Sequence, residues 1–128
     1  MTSSKPSLTF ASRAKFSSAR ISPRKVQLTA NSIRGKKVTD VTEGLPFGQK
    51  RASKVLDKVV HSAVANAVQK GFSKSDLIIS DVKLGKGITI GGGRWAAKGR
   101  FMPIKKKSTN ITVELSVPTG ETKKEESK

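Results

Sequence analysis

The segment 85–100, GKGITIGGGRWAAKGR, combines six glycines with four cations and contains no acid. Glycine-rich segments bind phosphate when their backbone N–H groups surround it at the start of a helix. Here the glycine spacing matches neither GxGxxG nor GxxxxGK[ST], and no helix pattern follows. We therefore expect no nucleotide-binding loop. Glycines in a hairpin that approaches a partner closely are the simpler interpretation.

Side chains suited to catalysis are scarce. His61 is the single histidine, and Asp57 precedes it by about one helical turn. On the polar side of a helix, such a histidine is more often solvated or packed than used as a general base. The chain has no cysteine and no cluster with metal-ligand spacing. The sequence predicts neither an enzyme nor a cofactor or metal site.

The charge distribution indicates a polyanionic partner. Lys and Arg total 26 against 9 acids, a formal net charge of +17. Residues 1–39 and 82–113 carry cations without any acid, whereas residues 40–81 are nearly balanced. Because each neutralised phosphate releases a counterion, this asymmetry favours nucleic acid. Membrane insertion is not expected, since no apolar run approaches the roughly 20 residues that span a bilayer.

Three segments carry helix patterns, at residues 22–34, 38–45 and 52–68. Ser22 is expected to cap the first helix and Gly35 to close it in a left-handed conformation. The third segment has the strongest periodicity and predicts the core helix, ended by Gly71. Its predicted buried stripe consists of Ala52, Val55, Leu56, Val59, Val60, Ala63, Val64, Ala67 and Val68.

The hydrophobic period changes to two after the core helix. One predicted strand face holds Ile78, Ser80, Val82 and Leu84, and another holds Ile111, Val113, Leu115 and Val117. No helix pattern separates them, so residues 77–117 are predicted to form one long antiparallel hairpin, and residues 10–20 could add a third strand. The expected fold class is α+β: three helices packed on a small antiparallel three-stranded sheet with a long protruding β-hairpin.

The outer part of this hairpin carries most of the second cation group. An isolated two-stranded ribbon is marginal in water, so its partner is expected to order it. Trp95, the single tryptophan, is expected to stack on a base or to pack against a nucleotide sugar. The ribbon cations are Arg94, Lys98, Arg100, Lys105, Lys106 and Lys107.

The chain is expected to form one domain at residues 10–117, including the hairpin at about 77–117. Residues 1–9 are predicted to be a basic flexible arm, and residues 118–128 a disordered tail without large apolar side chains. The serine-rich, acid-free N-terminus is superficially similar to an organellar transit peptide. It lacks the apolar core of a secretory signal, and we expect it to be an arm of the mature protein.

Four motifs together resemble the universal large-subunit ribosomal protein twenty-two family, of bacterial or organellar type. They are Ser-Pro-Arg-Lys with Ile-Arg-Gly-Lys (22–25 and 33–36), Ser-Ala-Val-Ala-Asn-Ala (62–67), Ala-Lys-Gly-Arg (97–100) and Asn-Ile-Thr-Val-Glu-Leu (110–115). The likeness covers roughly residues 10–117 in the family's order and spacing.

The resemblance implies a structural constituent of the large ribosomal subunit, in the bacterial cytoplasm or an organelle. It implies that the chain binds large-subunit rRNA, aids assembly, contacts neighbouring ribosomal proteins, and lines the peptide exit tunnel with its hairpin. Gly91, Gly92 and Gly93 would form the tunnel tip, near the nascent polypeptide. The implied rRNA-binding residues are Ser22, Arg24, Lys25, Arg34, Lys36, Lys86, Arg94, Trp95, Lys98, Arg100, Lys105, Lys106 and Lys107.

A free-standing basic nucleic-acid-binding protein or RNA chaperone is the alternative. A ribosomal component should remain on large subunits through a high-salt wash, whereas a mobile binder should be removed.

Overall fold

The computed structural model describes residues 8–118 and contains the predicted α+β architecture. Short 3₁₀ turns at 45–47 and 74–76 and a tight turn at 97–99 accompany the main elements. In chain order these elements are β1 (Leu8–Ala19), α1 (Pro23–Ile33), α2 (Val38–Gly44), α3 (Arg51–Gln69), β2 (Ile78–Lys86), β3 (Ile90–Trp95), β4 (Phe101–Lys106) and β5 (Thr109–Pro118).

The five strands divide into two antiparallel groups. β1, β5 and β2 form a three-stranded sheet with β5 in the centre, so the strand predicted at residues 10–20 is confirmed as an edge strand. β3 and β4 pair only with each other. We call this pair, with its turn, the ribbon (90–106), and we call the three-stranded sheet with the three helices the body.

The core lies between α3 and the sheet. Leu56 and Val60 of α3 are fully buried, as are Ile111 and Val113 of β5. The predicted stripe is confirmed except at Val55, which is only partly buried, and at Val68, which is 53% exposed. Val68 lies about 100° around the helix from its neighbour Ala67, at the margin of the stripe, where the helix is ending.

A β-bulge changes the facing of β2. The register with β5 shifts between Ile79 and Asp81, and Ile79 and Val82 are the fully buried residues of the strand. The predicted alternation is therefore wrong for Ile78 and Ser80, which are only partly buried. A bulge adds one residue to one strand, and a one-residue shift exchanges the two faces.

The predicted helix ends are partly confirmed. Gly35 and Gly71 have φ of 75° and 88°, the left-handed conformation expected after a helix. The predicted side-chain cap at Ser22 is wrong, because its hydroxyl makes no capping hydrogen bond. The N–H groups of Lys25 and Val26 instead donate to the backbone carbonyl of Ser22.

The described strands extend slightly beyond the expected domain. β1 begins at Leu8, two residues inside the predicted arm, and β5 ends at Pro118, the first residue of the predicted tail. The remainder of both predicted segments lies outside the described residues.

Candidate nucleic-acid interface

The predicted long hairpin is interrupted by a joint where the ribbon meets the body. Pairing of β2 with β5 ends at Lys86 and Thr109, and ribbon pairing begins at Ile90 and Lys106. Three residues on one strand (87–89) therefore oppose two on the other (107–108). This unequal count is typical of a bulge, which bends a strand pair.

Ser108 holds this joint together. The N–H of Gly87 donates to the carbonyl of Ser108 over 2.9 Å, and the Ser108 hydroxyl donates to the carbonyl of Ile88. A Cβ on Gly87 would lie 2.6 Å from the Ser108 Oγ. A larger residue would displace the Ser108 hydroxyl from its hydrogen bond with Ile88, so the close approach of the two strands favours glycine at this position.

We call residues 86–90 and 105–109, where the ribbon meets the body, the ribbon root. A buried hydrogen bond fixes the ribbon root next to the start of α1. The hydroxyl of Thr109 is completely buried and donates to the carbonyl of Ile21. The backbone N–H of Ser18 donates to Asn110 Oδ1 over 2.9 Å. The basic segment before α1 is thereby held against the base of the ribbon.

Two open clefts result, with volumes of about 700 and 530 Å³. They share Ser22, Lys107 and Ser108. The first cleft is lined by the cations Arg24, Lys86, Lys105 and Lys107, and the second by Arg20, Lys25, Arg51, Lys106 and Lys107. Cations from the body and from the ribbon, remote in sequence, therefore converge on the same place.

Strand geometry explains how three consecutive lysines serve both clefts. Successive side chains of a strand point to opposite faces. Lys105 lines only the first cleft, and Lys106 lines only the second. The ribbon root thus presents positive charge on both of its faces.

Neither cleft contains an acidic residue among its lining side chains. Two cations about 8 Å apart repel each other by about 0.5 kcal/mol even in water, so a cluster of this kind is unfavourable by itself. Phosphate groups would remove the repulsion and release counterions. The chemistry of the clefts is therefore that of a site for a polyanion backbone.

Two predicted binding residues lie elsewhere. Arg34 is at the other end of α1, about 16 Å along the helix axis, where its Nε lies 3.1 Å from Asp81 Oδ1. Its guanidinium also donates to the carbonyl of Val82. Lys36 follows, and its carbonyl accepts a hydrogen bond from the N–H of Ile79 over 3.0 Å. Arg34 joins α1 to β2 and contributes to neither cleft.

The outer ribbon presents the remaining predicted residues in exposed positions. Arg94 and Trp95 are on β3, Lys98 is in the 97–99 turn, and Arg100 follows that turn. The Trp95 side chain is 74% exposed, and its ring lies edge-on to the Phe101 ring, with 5.4 Å between centroids. These side chains are accessible to a partner along the whole ribbon.

The triple glycine lies on a strand of the ribbon and not in its turn. Gly91, Gly92 and Gly93 belong to β3 and pair with β4, whereas the turn comprises Ala97–Gly99. Placing the tip at these glycines was therefore wrong. The turn needs left-handed backbone, which Lys98 and Gly99 supply with φ of 61° and 70°. A Cβ on Gly93 would overlap the Phe101 ring, so this glycine makes room for the aromatic pair.

His61 and Asp57 are paired one turn apart on α3, with 3.4 Å between Nε2 and Oδ1, and line neither cleft. Within residues 8–118, no group of three or more His, Cys, Asp or Glu side chains is arranged to hold a metal ion. No helix in this part of the chain has the length and apolar character needed to cross a membrane.

Sequence reasoning missed Arg20 and Arg51 as cleft residues. Arg20 belongs to the acid-free segment 1–39, so its charge was a usable signal. Arg51 begins α3 within the charge-balanced stretch. Only the three-dimensional packing of α3 brings it to the ribbon root.

The chain was also compared with models of known protein families. The model of the family described as Ribosomal protein L22p/L17e matches residues 14–116. The matched range extends from within β1 to within β5, and it includes the joint, both groups of cleft cations and the complete ribbon.

Proposed function

The chain belongs to the ribosomal protein L22p/L17e family, and on this premise we propose that it binds large-subunit rRNA through the two clefts and the ribbon. Membership makes it a structural protein of the large ribosomal subunit. The family is a structural one, and we propose no catalytic role for this chain.

One observation supports RNA binding above the others: cations from body and ribbon meet on both faces of the ribbon root. Arg24 and Lys86 flank one face, and Lys25 and Arg51 flank the other. A phosphate backbone placed in either cleft would contact both parts of the protein. Binding would then fix the orientation of the ribbon relative to the body.

We further propose that the ribbon lines the peptide exit tunnel, with the 97–99 turn nearest the nascent polypeptide. Six residue pairs at about 3.3 Å per residue give an arm of about 20 Å beyond the joint. Its glycine-rich strand is thin enough for close contact with RNA. Its exposed apolar side chains, which include Ile104 and Met102, would be covered there.

The remaining roles follow from the same placement. An arm embedded in rRNA would help to fold that RNA during assembly. Neighbouring ribosomal proteins would contact parts of the body that RNA leaves free.

The salt dependence of RNA binding tests the clefts. Replacing Lys105, Lys106 and Lys107 together by alanine should make the slope of log K against log[salt] shallower by up to about three contacts. Filter binding of the full chain to transcribed large-subunit rRNA, at several salt concentrations, measures this slope. The matched control replaces Lys15, Lys58 and Lys74, which line neither cleft.

An unchanged slope in the triple variant would mean that these lysines face water in the complex. An equal loss in both variants would mean that net charge alone matters and that the clefts have no special role.

Crosslinking tests the tunnel placement. A photocrosslinking side chain replacing Lys98 should react with the nascent chain in stalled ribosomes, and the same group replacing Val68 should not. Recovery of the Lys98 crosslinks only on proteins at the ribosome exterior would contradict the tunnel placement.

A further inference from the structure

Phe47 is the most exposed large apolar side chain among residues 8–118, at 86%. It ends the 3₁₀ turn Leu45–Phe47, between α2 and α3, and belongs neither to the ribbon nor to the lining of either cleft. An exposed apolar residue alone is ordinary. Two further features distinguish Phe47: the turn that carries it is packed against the core, and cations follow it in the sequence.

The turn that carries Phe47 is anchored on both sides. Leu45 is buried in the core, and the N–H of Gly48 donates to the carbonyl of Leu45 over 3.0 Å. A Cβ on Gly48 would overlap the buried Ser53 side chain, so the loop packs tightly on the first turn of α3. Phe47 is therefore presented on a fixed support, which lowers the entropy lost on binding.

Cations follow Phe47 along the chain. Lys50, Arg51 and Lys54 lie between Phe47 and the next acid, Asp57, while Glu43 precedes the turn. Arg51 lines the second cleft, and four Cα–Cα steps of about 3.8 Å place it within about 15 Å of Phe47 along the chain. An RNA strand held in that cleft can therefore bring a base to the Phe47 ring.

We propose that Phe47 stacks on an unpaired base of the rRNA strand whose backbone lies in the second cleft. This rests on the rRNA binding proposed above and adds a base-contacting residue outside the ribbon. Exposed aromatic rings beside cations favour bases that are not already stacked in a duplex. A protein-docking surface would instead have a largely apolar centre with few charges, whereas Gly48, Gln49 and Lys50 follow Phe47 directly.

Fluorescence gives a direct test. In a Trp95→Phe background, Phe47→Trp carries the only tryptophan of the full chain. Its emission should be quenched by poly(U) or transcribed large-subunit rRNA, and less by the poly(A)·poly(U) duplex. The matched control is Val68→Trp, at an exposed position near the other end of α3, which should show no such quenching. Absence of quenching by both poly(U) and the rRNA would overturn the proposal.

Affinity gives a second readout. Phe47→Leu should weaken poly(U) binding by about fivefold, at the low end for base–aromatic stacking, while the salt slope remains unchanged. Phe47→Tyr should bind like the original chain. Thermal melts that coincide for all variants are expected, since the side chain is exposed.

The outcomes separate this inference from the proposed function. If the original chain binds RNA with a steep salt slope and Phe47→Leu binds equally well, stacking is wrong and the cleft function stands. If the F47W emission changes only when other ribosomal proteins are added, Phe47 is a protein contact and stacking is again wrong. If the original chain fails to bind RNA, the proposed function itself fails.

Discussion

The body and the ribbon use the same kinds of residues in opposite ways. Ile111 of the body is fully buried, whereas Ile104 of the ribbon is 42% exposed and Trp95 is 74% exposed. No residue from 88 to 107 is buried. The body therefore has the apolar burial that drives folding, whereas the apolar surface of the ribbon is left exposed.

The two regions also differ in whether their cations have acidic partners in the chain. The ion pairs of the described residues, such as Arg34 with Asp81 and Lys83 with Glu114, all lie in the body. The ribbon has cations and no acid. Its charges have no acidic partner within the ribbon, so under the proposed function they would be neutralised by RNA phosphates.

The largest loss of stability is expected for a substitution in the core of the body. Leu56→Ala should lower the free energy of unfolding by about 2–5 kcal/mol, because Leu56 is fully buried and its truncation leaves a cavity. Urea unfolding followed by circular dichroism measures the change. Val68→Ala on the same helix, at an exposed position, should change it by less than about 0.5 kcal/mol. Similar losses in the two variants would remove the distinction between core and surface along α3.

Periodicity in the sequence predicts most of the body. The apolar stripe of α3 is confirmed apart from Val55 and Val68, and the alternation of β5 is confirmed as far as Leu115; beyond it Ser116 is buried and Val117 only partly buried. The facing of β2 was not predictable, because the bulge between Ile79 and Asp81 arises from pairing with β5. No local pattern marks it.

The site was less predictable than the fold. Charge segregation indicated nucleic acid, but the convergence on the ribbon root depends on the Thr109–Ile21 hydrogen bond and the joint at Gly87. The run of glycines suggested a tip, whereas Lys98 and Gly99 form the turn. A lysine with positive φ is not identifiable from sequence, since few non-glycine residues adopt that conformation.

The next largest effect is expected where body and ribbon meet. Thr109→Val should destabilise the chain by about 1–3 kcal/mol, since it leaves the buried carbonyl of Ile21 without its donor. The same urea titration measures it. Thr112→Val makes the same chemical change on the same strand, at a hydroxyl that makes no hydrogen bond within the described residues. It should have little effect, and equal losses would assign the cost to the β5 backbone instead of the Ile21 contact.

A smaller effect is expected for an ion pair of the body surface. Lys83 Nζ lies 2.7 Å from Glu114 Oε1, but the Lys83 side chain is 60% exposed. Solvent screens such a pair, so Lys83→Met should cost less than about 1 kcal/mol, and less still in 1 M salt. Lys15→Met, on the same row of the sheet across Thr112, is the control. A loss above about 2 kcal/mol would show that this face of the sheet is more important to stability than its exposure indicates.

The smallest effect on stability is expected when the whole ribbon is removed. Replacing residues 90–106 by a two-residue Asn-Gly turn removes the ribbon and keeps the Ser108 contacts with Gly87 and Ile88. Because no residue of the ribbon is buried, the free energy of unfolding should stay within about 0.5 kcal/mol of the original. Urea unfolding of the shortened chain measures this, and binding to transcribed rRNA should weaken in the same sample as five cations are lost. A body destabilised by more than about 1 kcal/mol would mean that the ribbon contributes to folding as well as to binding, and the division between the two regions would then be wrong.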